Sequence, residues 1–332
     1  MESEPSGRSE ADQPLALAIV VPLYNEAAGL ADFHSDLSRV LSTLPCKTQV
    51  LYVDDGSTDR TPEVLAELRA RDNSVVYLTL SRNFGHQAAL TAGLESVDGD
   101  VVIMMDGDGQ HPPELIPEML RLYRQGFDIV QTQRADVSKD TFKGWTSRAF
   151  YSLLSGIGDV RLAPGAADFR LVSRDVAQAL RQMREYHRFL RGMTSWLGFR
   201  AATLPYQAGT RLAGETKYSL GKMVRLAMDG VFSFSLVPLR LGIAAGCFFL
   251  VLALAEMLYV SVLWLVPGPH RLVPGWSSVI LMVTIGDGVT MALLGFIGIY
   301  VGMIFQEVKH RPVYVIRPQR LGFRRERLDE RT

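Results

Sequence analysis

The sequence predicts an α/β fold, with a Rossmann-like, mostly parallel sheet followed by a two-helix membrane hairpin. Short apolar runs rich in β-forming residues alternate with helix-like stretches up to about residue 132, as in βαβ units. Beyond about Arg240 the chain is almost continuously apolar. At 332 residues it also exceeds the usual length of one domain, so we expect one large folded unit with an appended segment.

The chain divides into five predicted parts. Residues 1–14 are polar and acidic and lack the apolar core of a secretory signal, so we predict a disordered tail. A folded α/β domain is predicted over 15–210 and juxtamembrane interfacial helices over 211–240. Two membrane helices follow within 241–306, and residues 307–332 form a basic tail.

Polar motifs follow the predicted strands of the α/β domain. The predicted strands are 16–22, 49–53, 75–80, 101–105 and 128–132, and the predicted helices are 26–44, 62–71, 86–96 and 113–125. The motifs lie at 24–26, 54–57, 81–83 and 106–110. Because ligands bind outside the carboxyl ends of parallel strands, we expect these motifs to form one site.

Two pairs of carboxylates are the main candidates for chemistry. Asp106 and Asp108 follow a buried strand, and their oxygens suit Mg²⁺ or Mn²⁺; the alternative is a solvated turn. Asp54 and Asp55 are placed to hydrogen-bond a base or ribose; the alternative is a cap for the helix that follows Thr61.

Composition and missing motifs exclude several classes of function. The formal net charge is zero, so nucleic-acid binding is not expected. No Gly-x-Gly-x-x-Gly follows the first strand and no Walker motif is present, which argues against dinucleotide redox chemistry and P-loop hydrolysis. Cys46 and Cys247 do not indicate a disulfide framework.

The apolar runs 241–266 and 277–305 are each long enough to cross a bilayer. The short connection between them is rich in proline and glycine, which predicts a hairpin with both chain ends on one side. Basic residues flank the pair, whereas the connection holds only His270 and Arg271, so the positive-inside rule places both ends in the cytoplasm. The alternative is two buried helices of a soluble protein.

Each predicted span contains one carboxylate. Glu256 and Asp287 lie at similar depths, so we hypothesise that they face protein or each other; alternatively, Asp287 caps a broken helix between two glycines. Small residues four apart, Gly242 and Gly246 with Gly298 and Gly302, permit close packing within the hairpin or between subunits. Residues 220–231 have helical apolar periodicity and predict an interfacial helix or one packed on the folded domain.

Several motifs together resemble those of family-2 inverting glycosyltransferases of the GT-A fold. They are the segments 21–26, 53–59, 81–85 and 106–114, extended by 168–171, 188–192 and 211–218. More narrowly, the chain is similar over about 17–305 to polyprenyl-phosphate glycosyltransferases, namely bacterial undecaprenyl-phosphate glucosyltransferases and dolichyl-phosphate mannose synthases. Gly107 and Gly109 depart from this pattern, since relatives usually have Ala and Leu there.

The resemblance implies a role for each matching residue. It implies that the nucleotide-sugar is held by Pro22, Tyr24, Glu26, Asp54, Asp55, Arg82 and Asp106, that Mg²⁺ or Mn²⁺ and the diphosphate bind Asp106, Asp108 and Gln110, that the acceptor phosphate binds Arg134, Arg148 and Ser152, and that Asp168, Arg211 and Lys217 are catalytic. Asp168 is often assigned as a base in such enzymes. A phosphate monoester is already largely ionised at neutral pH, so Asp168 could instead position Arg170 or the acceptor, or form an arginine ion pair.

The activity implied by the resemblance is transfer of a sugar, with UDP-glucose as the leading donor, to undecaprenyl phosphate with inversion. Two spans are too few for an obvious polysaccharide channel, which disfavours a processive synthase. A homo-oligomer, a tetramer by resemblance, and a bacterial plasma-membrane location are also implied. The alternatives are another nucleotide-sugar or lipid acceptor, and a catalytically silent membrane scaffold.

Overall fold

The computed structural model describes residues 14–134, 166–183, 185–186, 188–207, 237–265 and 275–318. These residues form two compact units. The first comprises the described residues up to 207 together with 312–318, and the second comprises 237–265 and 275–311.

The first unit is built on a sheet that has seven strands in the described residues, in the order β3-β2-β1-β4-β6-β5-β7. The strands are β1 Leu15–Leu23, β2 Cys46–Asp54, β3 Val75–Thr79, β4 Val101–Met104, β5 Ile129–Arg134, β6 Ala166–Ser173 and β7 Ala201–Tyr206. Strand β6 runs antiparallel to β4 and β5, and the other pairs are parallel. The predicted mostly parallel sheet is therefore confirmed, while β6 and β7 were not predicted.

Helices connect the strands of the first unit. They are α1 Leu30–Leu41, α2 Thr61–Arg71, α3 His86–Ser96, a 3-10 turn Pro113–Leu115 leading into α4 Ile116–Arg124, α5 Arg174–Gln182 and α6 Leu190–Trp196. The four predicted helices correspond to α1 to α4. Helix α1 begins at Leu30 rather than at residue 26, because residues 24–26 form part of a turn.

Strand β1 shows why the central strands read as apolar runs. Its residues from Leu17 to Leu23 are all buried. Leu17, Ile19 and Val21 belong to one hydrophobic core, and Ala18 and Val20 belong to the core on the opposite face. A parallel strand covered on both faces needs apolar side chains at consecutive positions rather than at alternate ones.

The second unit contains two long apolar helices, α7 Val237–Leu265 and α8 Trp276–Val308. A Cβ atom added to Gly242 would overlap the side chain of Leu293, so the two helices approach closely at that glycine. By length and composition alone, one described segment, 285–308, could cross a membrane, a test that buried helices of soluble proteins also pass.

The carboxylates of the two helices are only partly described. Helix α8 runs unbroken through Gly286 and Gly288, so the prediction that Asp287 caps a broken helix is wrong. The side chain of Asp287 is exposed, and that of Glu256 lies outside the described residues. The predicted interfacial helices over 211–240 also lie outside them, except for the first residues of α7.

Residues 312–317 differ from the predicted basic tail. They lie beside the exposed edge of the sheet, where Ile316 forms an antiparallel bridge with Leu80. Strand β3 ends the strand order, so its outer backbone groups need partners. The segment supplies them, and it belongs to the first unit although α8 separates it from that unit in sequence.

Candidate active site

The candidate site lies at the carboxyl ends of β1 to β5. Strands β1, β2, β4 and β5 end at Leu23, Asp54, Met104 and Arg134, immediately before or within the predicted motifs. Because β6 is antiparallel, its first residues reach the same edge and bring Asp168 there. The structure therefore gathers the motifs as the sequence analysis predicted.

The turn after β1 is held by the loop after β2. The backbone N–H of Asn25 donates to Ser57 Oγ at 2.9 Å, and that of Glu26 donates to Thr61 Oγ1 at 3.0 Å. Asn25 has a positive φ of 57° and accepts a hydrogen bond from the Thr58 N–H through its own side chain. Tyr24 is 41% exposed at this turn, and Pro22 lies within β1.

Asp54 and Asp55 are both buried but do different work. Asp54 Oδ1 accepts the Ser57 N–H at 2.9 Å, and its Oδ2 has no hydrogen-bond partner among the described residues. Asp55 accepts the N–H groups of Phe84 and Gly85 at 2.8 and 2.9 Å, which ties the loop after β2 to the loop after β3. Neither carboxylate caps α2, so the capping alternative is wrong.

Burial raises the pKa of Asp55, and the two backbone N–H groups only partly offset that effect. The residue next to it, Gly56, allows the two loops to meet. Its φ is +67°, and a Cβ atom there would lie 2.5 Å from the backbone carbonyl carbon of Arg82. Arg82 itself is exposed, with its guanidinium 4.3 Å from the centre of the Phe84 ring.

The loop after β4 carries Asp106, Asp108 and Gln110. The Asp106 N–H donates to Nδ1 of the buried His111 at 2.9 Å, which requires the proton of a neutral imidazole to sit on Nε2. Burial lowers the pKa of His111, so the ring is neutral at pH 7. Asp108 accepts the backbone and side-chain N–H groups of Gln110 at 3.0 and 2.7 Å.

This loop has features that suit a divalent cation. Among the described residues no group of three or more His, Cys, Asp or Glu side chains is arranged to hold a metal. A site that completes its shell with substrate phosphates and water needs fewer protein ligands. Asp106 Oδ1 is buried and accepts no hydrogen bond from the described residues, so it has a lone pair available for such an ion.

Arg134 at the end of β5 faces the acidic loop. Its Nη2 donates to Gln110 Oε1 at 2.9 Å, and its Nε donates to the Tyr206 hydroxyl at 3.2 Å. Gln110 therefore bridges Asp108 and Arg134. The other predicted acceptor and phosphate residues, Arg148, Ser152, Arg211 and Lys217, lie outside the described residues.

Asp168 is surrounded by cationic side chains. Its Oδ1 accepts Arg170 Nη2 at 2.8 Å, and its Oδ2 lies 3.0 Å from Arg191 Nη2. The Nε2 of His86 lies 3.5 Å from the same Oδ2 and 3.4 Å from Asp106 Oδ1. One imidazole nitrogen thus stands between the acidic loop and Asp168.

The charges in this cluster shift its pKa values. Burial alone would raise the pKa of Asp168, but the hydrogen bond from His86 and the charges of Arg191 and Arg170 hold it well below its usual range. Burial alone would lower the pKa of His86, but Asp168 and Asp106 raise it to about 9. Asp168 is therefore ionised at neutral pH and ion-paired, as one alternative in the sequence analysis proposed.

Three site residues were not singled out from the sequence. They are His86, His111 and Arg191. His111 and Arg191 fall inside motif segments 106–114 and 188–192, which was a usable indication. His86 is the first residue of α3, and nothing in its sequence neighbourhood indicates that it would face Asp106 and Asp168.

Comparisons with known proteins bear on the same residues. A "Glycosyltransferase YkcC" of Bacillus subtilis, described as uncharacterized, is 39% identical over 90% of this chain and 92% of its own. "Bactoprenol glucosyl transferase" of Shigella phage SfII is 33% identical over 93% of this chain and 99% of its own. The solved mannosyl-3-phosphoglycerate synthase of Rubrobacter xylanophilus covers 79% of both chains at 15% identity, with a TM-score of 0.46.

The model of one protein family matches residues 18–181, which include the motifs after β1 to β4 and Asp168. That family is described as "Glycosyl transferase family 2". Together with relatives above 30% identity over most of their length, this match shows that the chain belongs to glycosyltransferase family 2.

Proposed function

We propose that the protein transfers a hexose from a nucleotide-sugar to a polyprenyl phosphate, with UDP-glucose and undecaprenyl phosphate as the leading pair. The observation that carries the proposal is the His86 imidazole within 3.5 Å of both Asp106 and Asp168, which joins an acidic loop to an arginine cluster at one edge of the sheet. Relatives named bactoprenol glucosyl transferase, about 33% identical over most of the chain, support this acceptor and sugar.

The donor nucleoside would lie over the loops after β1, β2 and β3. Tyr24 is exposed there, beside Pro22 and Glu26, and Asp54 keeps one oxygen without a partner among the described residues. We propose that Asp55 acts indirectly, because both of its oxygens already hold the loop that carries Arg82. Arg82 would then face the donor with its charged group in solvent.

The diphosphate and a Mg²⁺ or Mn²⁺ ion would bind at Asp106, Asp108 and Gln110. Such an ion, when bound, neutralises negative charge on the departing nucleoside diphosphate. Two neighbours hold the ligands in place: His111 orients the backbone of Asp106, and Gln110 holds Asp108. Arg134, linked to Gln110, would connect this loop to the acceptor side.

The acceptor phosphate would be held by arginine side chains. Arginine can donate two parallel hydrogen bonds to a phosphate, which suits Arg134 and, outside the described residues, Arg148 with Ser152. Arg211 and Lys217 would steady the phosphates during transfer.

The reaction would be a single in-line displacement with inversion. An oxygen of the acceptor phosphate forms the new bond to the anomeric carbon while the bond to the leaving diphosphate breaks. The acceptor needs little deprotonation because its second pKa is about 6. We therefore assign Asp168 to holding Arg170 and Arg191, and not to removing a proton.

We propose that α7 and α8 both span the bacterial plasma membrane, with the chain ends in the cytoplasm. Side chains such as Phe248, Leu258 and Ile304 are 60%, 65% and 60% exposed, more apolar surface than water tolerates well. The interfacial helices predicted over 211–240 would bring the site near the lipid phosphate. A homo-oligomer, tetrameric by resemblance, completes the proposal.

The test is transfer by the purified full-length protein from a panel of labelled nucleotide-sugars to undecaprenyl phosphate, with Mg²⁺, with Mn²⁺ and with chelator. We expect metal-dependent label in the lipid fraction from one donor. The variant Asp106→Asn should lose at least a hundredfold in rate, whereas Asp98→Asn, an exposed carboxylate away from the site, should keep it. If folded protein transfers no sugar from any donor, the proposed acceptor is wrong or the chain is a silent scaffold.

A further inference from the structure

The 312–317 segment is attached to the sheet by regular backbone hydrogen bonds. The N–H of Ser81 donates to the Val315 carbonyl and the N–H of Arg317 donates to the Thr79 carbonyl, both at 2.8 Å. These bonds flank the bridge between Leu80 and Ile316. Ser81 directly precedes Arg82, so the segment holds the base of the loop that Asp55 holds further along.

Tyr314 links the segment to the interior of the first unit. It packs against the hydrophobic core on the same side as Phe84. Its hydroxyl donates to Glu95 Oε2 at 2.6 Å, and Glu95 Oε1 lies 3.2 Å from Arg188 Nη2. The Arg188 side chain is only 5% exposed, so Glu95 supplies the counter-charge of a buried guanidinium.

The path from Arg188 leads to Asp168. The backbone N–H of Leu190 donates to Gln87 Oε1 at 3.1 Å, and Arg191 forms the 3.0 Å ion pair with Asp168. Gln87 and Glu95 both belong to α3, whose first residue is His86. Helix α3 is thus attached at one end to Asp168 and at the other to Tyr314.

We propose that Tyr314, Glu95 and Arg188 are positioning residues, through which the 312–317 segment holds α3 and residues 188–191 so that His86 and Arg191 meet Asp168. This inference rests on the proposed function only in taking Asp168 as part of the transfer site. None of the three residues contacts Asp106 or Asp168 in the described contacts. Their effect is to limit the motion of the residues that do.

The physical reason for such coupling is that each link is hard to replace. A hydrogen bond to a charged group contributes more than a neutral one, and a buried arginine that loses its carboxylate is left with an uncompensated charge. Small displacements of catalytic groups cost large factors in rate. The competing explanation is that the segment only covers the sheet edge, in which case loss of the Tyr314 hydroxyl would leave the site unchanged.

The first experiment measures hydrogen–deuterium exchange in the full-length protein, which requires no activity. Arg317→Pro removes the N–H that binds Thr79, and Arg317→Ala is its matched control because it also removes the side chain but keeps that N–H. Tyr314→Phe removes one hydroxyl, with Tyr123→Phe as its control. We expect faster exchange over residues 86–97 and 188–192 in Arg317→Pro and Tyr314→Phe but not in the controls.

The second experiment measures transfer kinetics of the same variants. Tyr314→Phe should lower kcat by about fivefold to twentyfold while the donor KM stays within about twofold. The double variant Tyr314→Phe with Glu95→Ala should be no slower than Glu95→Ala alone, because one path is broken only once. A purely structural role would lower the amount of folded protein but would not produce this split.

The outcomes separate the inference from the proposed function. Unchanged exchange in Tyr314→Phe, or an additive double variant, would overturn the positioning role, and so would a normal kcat. If the wild-type protein transfers no sugar while exchange still responds to Tyr314→Phe, the coupling stands and the proposed function fails.

Discussion

Asp168 is ionised and ion-paired with two arginines, which decides between its two possible roles. A base must release its charge to a proton, but here Arg170, Arg191 and His86 all stabilise the carboxylate form. Arg170 is 1% exposed and depends on this carboxylate for its counter-charge. The residue therefore holds the arginines that surround the site, and its removal should be felt as loss of structure as well as loss of rate.

The substitution Asp168→Asn should destabilise the protein by about 3–5 kcal/mol, because it leaves Arg170 buried without a counter-charge. Thermal unfolding in detergent, followed beside the transfer assay, measures both effects. Asp175→Asn, an exposed carboxylate in the first turn of α5, is the control. An inactive Asp168→Asn protein with an unchanged Tm would support the role of base instead.

His34 provides a prediction of pH dependence away from the site. Burial lowers the pKa of His34, although Asp72 partly opposes this effect. The unfolded chain, with the ordinary value near 6.5, therefore binds a proton more readily than the folded one, so stability should fall as pH drops below about 6.5. His34→Gln should reduce that fall, measured as the Tm difference between pH 7.5 and 5.5. His310→Gln, exposed after α8, should not, and equal slopes for all three proteins would contradict the prediction.

At the scale of elements, the loops after β2 and β3 behave as one unit. Asp55 binds the backbone of residues 84 and 85, and Gly56 lies against the backbone of Arg82. The 312–317 segment holds the preceding residue, Ser81. A nucleotide loop fixed at three points is preorganised, so less conformational entropy is lost when the donor binds.

The substitution Gly56→Ala tests whether this contact sets donor affinity. It adds backbone strain of about 1–2 kcal/mol at a positive φ and a clash with backbone atoms of Arg82 and Asn83. Gly198→Ala has a similar φ of +71° but meets nothing within 4 Å, so it carries the strain without the clash. We expect the donor KM to rise at least tenfold in Gly56→Ala and to stay near normal in Gly198→Ala. Equal KM values would show that the contact is not needed.

At the scale of the whole molecule, two physically different surfaces belong to one chain. The first unit buries apolar side chains on both faces of its sheet. The second exposes large apolar side chains along both helices, among them Ile243, Val251, Leu254, Met291 and Phe305. Such a surface is favourable in lipid and unfavourable in water, which is the physical basis for proposing two membrane spans.

Cysteine labelling tests the proposed topology. In a protein with Cys46→Ser and Cys247→Ala, a single cysteine from His270→Cys should react with a membrane-impermeant maleimide on intact spheroplasts. Single cysteines from Ser3→Cys and Thr332→Cys should react only after the membrane is permeabilised. Labelling of all three in intact spheroplasts, or of none, would contradict a hairpin with cytoplasmic ends.

Much of the first unit could be predicted from sequence because its signals are local. Strands β1 to β4 are continuous apolar runs and helices α1 to α4 lie between them, so type and order followed from periodicity. Strands β6 and β7 were missed: β7 alternates exposed and less exposed residues, and β6 was noticed only as a motif around Asp168. Their pairing with β4 and β5 depends on contacts distant in sequence.

The sequence by itself determined the order of strands and helices, the motifs at the strand ends and the two apolar runs, because each depends on neighbouring residues. Only the tertiary structure decided that His86 lies between Asp106 and Asp168, that Asp55 holds residues 84 and 85, and that the 312–317 segment pairs with the edge at β3. The last contact joins Tyr314 to Glu95, 219 residues apart. No local pattern encodes such a contact, since it forms only when the whole chain brings an unpaired strand edge and an apolar segment together.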